Sequence, residues 1–596
     1  MSNPQAKQQR TKLNDLALFK RFWPFVKPDA PWVIFGLLAV PLMSLAGVAQ
    51  PWLLKVAVDG PMSDALHHRE SEGWTLTTVA LAFLGAVLAE YVLRGLQLWA
   101  LQRAGYHALQ RLRRGVFSHV LQQGSAFFDT RASGNLLTRT TTDVEAIGEV
   151  LTFGIVGIIG DVFDILFILA AMLWFDVRLT AMSLLVAPFI VLLVNLFRRR
   201  LRFYSTEIRR SMATASGHFQ EALAGARIVQ LHGREAATVE EYRSFNYRYL
   251  DAYRISNWYD ASLYAVMDGV AGLCIAILLG YGAMRVVGGL GTPGLLIAFI
   301  QYIQRVFVPV RELSGKVATI ERAQAALERI FGLLDEAVPL PSGDQVPAEI
   351  RGGVEIDHLT FGYGAEVRAL DDVSLSVRPG QVVALVGQTG SGKSTLVKLI
   401  ARMYDAPKRA ILVDGVAVED WQLQALRRAI GVVQQDVMLF SGTFADNVSL
   451  GRAGITRAAI AQAVQDAQLA DKVARLGGLD TVLSENGGNL SAGERQLLSI
   501  ARILAANPPI VVLDEATASI DTETEQAVQR ALERVFEGRT AIVVAHRLST
   551  IRKADRIVVM QRGRIAESGT HEELMAHAGL YAHLVESAQE SQRLAG

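Results

Sequence analysis

Among 596 residues there is one cysteine, Cys274, so a disulfide framework within the chain and a cysteine-built metal cluster are both excluded. A surplus of one sign of charge is missing too. The 59 Lys and Arg residues stand against 58 Asp and Glu, which leaves no global charge that argues for nucleic acid. Charge of either sign is missing from long stretches of the first half, where most of the excess behind the 51% hydrophobic content lies. Between Ala30 and Leu54 there is none at all. No cleavable signal peptide is expected, because that first apolar run is long and a charged segment precedes it.

A run of this length crosses a bilayer core, which takes roughly 20 residues of helix. Further apolar runs lie near Trp74–Leu93, Leu151–Phe175, Leu179–Phe197, Ala261–Met284 and Pro293–Val310. About six spans are therefore expected on hydropathy. Glu90 and Arg94 interrupt the second and Arg305 the sixth. The segments after the second and fourth runs are rich in arginine, with six from Arg103 to Arg139 and eleven from Arg198 to Arg254. The loop from Lys55 to Gly73 carries two basic residues against four acidic ones. By the positive-inside rule the long loops, the N-terminus and everything after the sixth span lie in the cytoplasm of an inner- or plasma-membrane protein.

Leu16–Val26 mixes apolar, aromatic and basic residues, as an interfacial helix does. If the second span's helix runs on to about Gln122, its length reaches roughly 70 Å, over twice the hydrocarbon thickness. The expected divisions are an interfacial segment 1–29, a membrane domain 30–332, a linker 333–352 and an ATPase domain 353–596. Glu90 and Arg94 are i,i+4 partners and read either as a structural pair or as a substrate contact. Asp161, Asp164 and Asp268 lie within spans. Such carboxylates mark a substrate pathway, or else are capped, paired or buried in protonated form.

After Leu333 the composition turns polar, and from Val354 strand-like and helix-like segments alternate as in an α/β domain. Gly387-Gln388-Thr389-Gly390-Ser391-Gly392-Lys393-Ser394 fits the phosphate-loop pattern, with an apolar strand (Val382–Val386) before it and a helical run after it. Glycines let backbone N–H groups close around a phosphate, Lys393 supplies charge, and Ser394 offers a hydroxyl to Mg²⁺. A second apolar strand ends in Asp514-Glu515. The first carboxylate suits a phosphate-bound Mg²⁺ and the second an attacking water, unless the two are only surface acids. His546 ends the strand TAIVVAH and either contacts a γ-phosphate or is structural. In NLSAGERQ, residues 489–496, Ser491 and Glu494 form a capping-box pattern, and a helix start with a free serine and a glycine also suits a phosphate.

Taken in order, the phosphate loop, Gln435 in IGVVQQD, NLSAGERQ, LDEATASID and VVAHR resemble the motifs of the ATP-binding cassette exporters. FFDTRASGNLLTRTTTDVEAI and EALAGARIVQLHGRE resemble that family's segments in and beside the intracellular coupling loops. The resemblance covers nearly the whole chain. It implies an all-α six-helix transmembrane domain followed by an α/β P-loop nucleotide-binding domain. It also implies that Tyr363 stacks on adenine, that Gly387 through Thr395 wrap the phosphates, and that Mg²⁺ sits near Ser394, Gln435 and Asp514. Glu515 would be the catalytic base, His546 the γ-phosphate switch, Gln435 a nucleotide sensor, and Asp521 part of a loop between two ATP sites.

Leu490, Ser491, Ala492, Gly493 and Glu494 would contact ATP held by a partner's phosphate loop, so the chain resembles a half-transporter that pairs with a second one. The family's usual signature is LSGGQ. Here Ala492 adds a methyl, and Glu494 adds a charge worth about 2 kcal/mol of repulsion at roughly 8 Å and an effective dielectric near 20, unless it folds back onto its own cap. That departure, beside intact Glu515 and His546, favours a heterodimer over a homodimer. The function implied is ATP-driven export of an amphipathic, lipid-like or drug-like substrate by alternating access. The alternative is an ATP-gated channel or a membrane-bound regulatory ATPase of the same architecture.

Overall fold

No water satisfies backbone N–H and C=O groups in hydrocarbon, so long apolar runs fold as helices that pair these groups internally. The computed structural model describes residues 15–66, 74–150, 154–336, 340–364, 367–434, 437–484, 487–514, 522–545 and 548–595. They form two compact units, one of residues 1–121 and 133–336, the other of residues 122–132 and 337–596.

The first unit is helical: α1 (Asp15–Val26), α2 (Ala30–Ala57), α3 (Leu76–Leu121), α4 (Thr142–Glu149), α5 (Ile155–Phe175), α6 (Val177–Leu184), α7 (Ala187–Ala224), α8 (Glu235–Val287) and α9 (Pro293–Leu334). Among the described residues four helices are long and apolar enough to cross a membrane, and Pro293–Pro309 is a shorter apolar stretch. The fourth expected span is divided between α6 and α7. Proline in the first turn of α7 explains the break, because its missing N–H suits a helix start and cannot continue a helix from α6. α3 runs for 46 residues, about 70 Å at ~1.5 Å each, as the expected extension requires. α8 is longer still, at 53 residues.

The segment expected to be interfacial contains helix α1, with Leu18, Phe22 and Val26 buried and Trp23 exposed. Arg21 ties it to the end of α9, donating to both carboxylate oxygens of Asp335 at 2.8 and 2.6 Å and stacking 4.5 Å from the Phe331 ring centre. α2 packs on α3, α7 on α8, and α9 against α2, α5 and α8. Small residues permit the close approaches. A Cβ on Gly36 would stand 2.8 Å from Leu101, and one on Gly282 2.1 Å from Leu296. Where α4 meets α9, buried Asp143 accepts from Arg329 Nε at 2.9 Å and Nη2 at 2.5 Å.

The second unit holds two main sheets. Strands β1 (Val354–Phe361), β2 (Leu370–Val377), β4 (Ile411–Val413) and β5 (Val416–Ala417) form an antiparallel sheet in the order β2-β1-β4-β5. The larger sheet is built from β3 (Val382–Val386), β6 (Ile430–Val433), β7 (Ile510–Asp514), β8 (Thr540–Val544), β9 (Arg556–Gln561) and β10 (Arg564–Gly569), in the order β10-β9-β3-β8-β7-β6. All its pairings are parallel except β9 with β10. The parallel strands carry near-continuous apolar runs because both faces are covered. The short segment 122–132 belongs to this unit: the Tyr404 hydroxyl donates to Asp129, and Gly124 lies against Leu340.

Replacing Asp143 with Ala leaves Arg329 without its bidentate partner inside the helical unit. A loss of about 1–3 kcal/mol is expected, read as a lower apparent unfolding midpoint of the detergent-purified protein, and an unshifted midpoint would show that the pair adds nothing.

Candidate functional site

Parallel strands that end together bring their following loops to one edge, which is where open α/β sheets bind ligands. Val544 pairs with both Leu385 and Asp514, so β3, β8 and β7 finish level. The turn after β3 runs straight into helix α10 (Lys393–Ile400). At two of its three positive-φ glycines the surroundings also leave no room for a side chain. Gly392 has φ +103° with Ala369 O only 2.7 Å from where a Cβ would stand, and Gly387 has φ +151° with Met560 O at 2.2 Å. Gln388, Thr389 and Gly390 form the exposed rim, while Ser391 and Thr395 are buried beneath it.

Lys393 is 5% exposed, and its Nζ donates to Gly387 O at 2.7 Å and Gln388 O at 3.0 Å. Burial pushes its ammonium below the usual lysine value, against the opposing pull of the Asp514 carboxylate. A cation so placed is poorly hydrated and gains most from an anion at the helix N-terminus. Ser394 Oγ and Asp514 Oδ1 stand 3.4 Å apart. The Tyr363 hydroxyl donates to Thr395 Oγ1 at 3.2 Å, while its ring meets Phe361 and Tyr404 edge-on and stays 52% exposed. Gln435, Glu515, Asp521 and His546 lie outside the described residues.

The signature segment starts helix α11 (Ala492–Ala506). Ser491 Oγ accepts from Glu494 N at 3.2 Å, and Glu494 Oε2 accepts from Ser491 N at 2.7 Å, a complete capping box. The other oxygen of Glu494 lies 3.0 Å from Lys472 Nζ. Glu494 is therefore turned onto its own helix start and neutralised there. Leu490 and Gly493 are buried, Ser491 and Ala492 exposed, and Arg495 Nη1 holds Leu490 O at 2.8 Å. Sequence reasoning missed Lys472, because no spacing rule links it to the signature.

In the helical unit Glu90 pairs with Arg94 at 3.4 Å, as the i,i+4 reading expects, but it also accepts from Gln50 Nε2 at 2.7 Å and lies 3.8 Å from Arg305. Asp161 holds Lys316 Nζ at 2.8 and 2.9 Å, and Asp164 accepts from the Ser44 hydroxyl. Asp161 and Asp164 line one cavity of about 480 Å³ together with Glu90, Arg305 and Lys316. Asp268 is exposed on α8 and does not line that cavity. The partners Ser44 and Lys316 escaped sequence reasoning; charged residues in neighbouring spans were the available signal.

A helical membrane unit joined to a phosphate-loop ATPase unit with a signature helix defines an ATP-binding cassette exporter, and the chain belongs to that family. The family model of the ABC transporter transmembrane region matches residues 33–310, and the ABC transporter model matches residues 370–518. The ATP-dependent lipid A-core flippase of Burkholderia orbicola is 35% identical over 577 residues, covering 96% of both chains. The Bacillus subtilis protein YgaD, named for multidrug export as an ATP-binding/permease protein, is 33% identical over 574 residues, covering 96% of this chain and 99% of its own. A solved bacterial Atm1-family ABC exporter with ATP bound superposes with a TM-score of 0.76 at 30% identity, covering 94% of this chain and 98% of that one. The protein binds ATP and couples its hydrolysis to export across a membrane, with the ATPase domain in the cytoplasm; ABC exporters act as dimers in the bilayer.

Lys393→Ala removes the one ammonium held inside the phosphate loop. Nucleotide binding is expected to weaken roughly tenfold to a hundredfold, the worth of one charge-assisted contact, in a fluorescent-nucleotide titration. Unaltered affinity would detach Lys393 from phosphate binding.

Proposed function

We propose that the chain forms a homodimer that exports an amphipathic, lipid-like or drug-like substrate from the cytoplasm or inner leaflet by alternating access. The observation that carries this reading is the neutralised Glu494. Its charge is taken up by Lys472 and its own helix cap, which removes the repulsion that favoured an unlike partner. Two further features support like partners. The flippase and YgaD relatives match this chain nearly end to end. The cytoplasmic ends of α7 and the helix Ala226–Leu231 leave Leu223, Ile228 and Leu231 exposed, apolar surface that a second copy would cover. The substrate class follows the names of the relatives, one a flippase of a lipid and one named for multidrug export.

Within each ATP site the roles divide by chemistry. Tyr363 presents an exposed ring to adenine while its hydroxyl is fixed on Thr395. Backbone N–H groups from Gly387 to Thr395 cradle the phosphates, and Lys393 exchanges loop carbonyls for β- and γ-phosphate oxygens. Ser394 and Asp514 are hard oxygen donors of the kind Mg²⁺ takes beside phosphate and water, and with Gln435 they would hold it; bound there it would neutralise phosphate charge. Glu515 orients and deprotonates the attacking water, His546 contacts the γ-phosphate, and Asp521 relates the two sites. Across the dimer Ser491 and Gly493 offer a hydroxyl and backbone N–H groups at the positive end of α11. ATP drives the cycle by binding the closed dimer more tightly than the open one, and hydrolysis withdraws that preference.

The chain expressed alone and reconstituted in vesicles is expected to accumulate substrate with ATP, whereas Glu515→Gln binds ATP without turnover. A requirement for a co-expressed second half-transporter would overturn the homodimer, and undiminished hydrolysis in Glu515→Gln would remove its role as base. The Lys472–Glu494 pair has its own test. Lys472→Ala is expected to slow hydrolysis several-fold by freeing the Glu494 charge toward the partner's nucleotide, and to have no effect in a Glu494→Gln background; equal losses in both backgrounds would exclude that coupling.

A further inference from the structure

A carboxylate drawn into the membrane is costly unless a cation or strong donors meet it. The 480 Å³ cavity among α2, α3, α5 and α9 falls within the roughly 300–1,000 Å³ of small-molecule pockets. Four carboxylates line it, Glu90, Asp161, Asp164 and Glu312, against three cations, Arg94, Arg305 and Lys316. Each cation lies beside an acid, and the cavity's carboxylates outnumber its cations by one. Glu90 lies between Arg94 at 3.4 Å and Arg305 at 3.8 Å, and Lys316 lies between Asp161 at 2.8 Å and Glu312 at 3.1 Å. Arg305 is further occupied by Gly47 O at 2.7 Å and Gln50 Oε1 at 2.6 Å. Among the described residues Asp164 is the one cavity carboxylate without a basic partner, and it is held only by the Ser44 hydroxyl.

We propose that Asp164 is the counter-charge for a monovalent organic cation with an apolar body, and that this cavity is where the exporter binds the charged part of such a substrate. The uncharged walls suit the body of the molecule: Val40, Leu98, Leu101 and Ile168 face the same space. An anionic head would meet the acidic side of the cavity, where Asp161, Asp164 and Glu312 share the single cation Lys316. The inference rests on the exporter reading above and narrows its substrate to cationic amphipaths.

Tetraphenylphosphonium and tetraphenylborate are matched in size and opposite in charge, so they isolate the sign. Equilibrium dialysis against the full-length protein in neutral-lipid nanodiscs, without ATP and with the binding to empty nanodiscs of the same lipid subtracted, is expected to show tetraphenylphosphonium bound in preference to tetraphenylborate. Asp164→Asn should weaken the cation roughly tenfold or more, leave the anion unchanged or tighter, and thereby erase the preference, while Asp164→Glu retains it. A chain-bearing probe, tetradecyltrimethylammonium below its micelle-forming concentration, tells a lipid-like cation from a compact one; the tighter binder assigns the source. Binding of neither cation by wild type, or an Asp164→Asn protein that keeps the preference and the wild-type unfolding midpoint, overturns the proposal. Because dialysis needs no turnover, cation binding without ATP-driven transport would sink the exporter reading and leave the site standing, whereas transport without the preference would do the reverse.

Discussion

A charge withdrawn from water must meet an opposite charge or several hydrogen-bond partners, and both halves of this chain are arranged around that demand. In the membrane unit the residues that interrupt apolar runs are the ones that join helices. Lys316 links α9 to α5 through Asp161, and Arg305 links α9 to α2 through Gly47 and Gln50. In the ATPase unit Lys393 is stored against loop carbonyls, and Glu494 is folded back between a helix cap and Lys472. Apolar packing fills the space between these pins.

The same demand connects structure to cycle. Lys393 sits at the level end of three parallel strands, so a phosphate arriving there is read by a rigid edge rather than a free loop. What it exchanges is a set of neutral carbonyl bonds for charged ones, a difference that exists only with nucleotide present. Differential binding of this kind is the sole means by which a ligand biases two states.

Much of the architecture was legible in the sequence because it depends on periodicity and short motifs. Hydropathy located the membrane runs, the extension of α3 followed from helix-compatible sequence past the bilayer, and the capping box of Ser491 and Glu494 followed from spacing alone. The phosphate loop was legible because strand, glycines and helix are contiguous. What escaped depends on residues distant in the chain. The destination of the Glu494 charge could not be read, since Lys472 meets it only after α11 packs. Nor could the partition of the intramembrane acids, where Asp161 finds Lys316, Asp164 finds a serine, and Asp268 faces elsewhere. The break between α6 and α7 was written in Pro188, but an apolar run masks it in a hydropathy reading.

The segment 122–132 belongs to the ATPase unit although it lies two hundred residues upstream in the chain. That unit is therefore discontinuous in the gene: its eleven early residues are made before most of the membrane helices and hundreds of residues before the sheets they join. During synthesis Asp129 emerges long before Tyr404, so the hydrogen bond between them forms only after the membrane helices and the first strands of the ATPase unit have been made. A fragment beginning at residue 337 would leave the Tyr404 hydroxyl and the Leu340 side chain uncovered, which makes the isolated ATPase half a poorer stand-in for the working domain than its continuous sheets suggest.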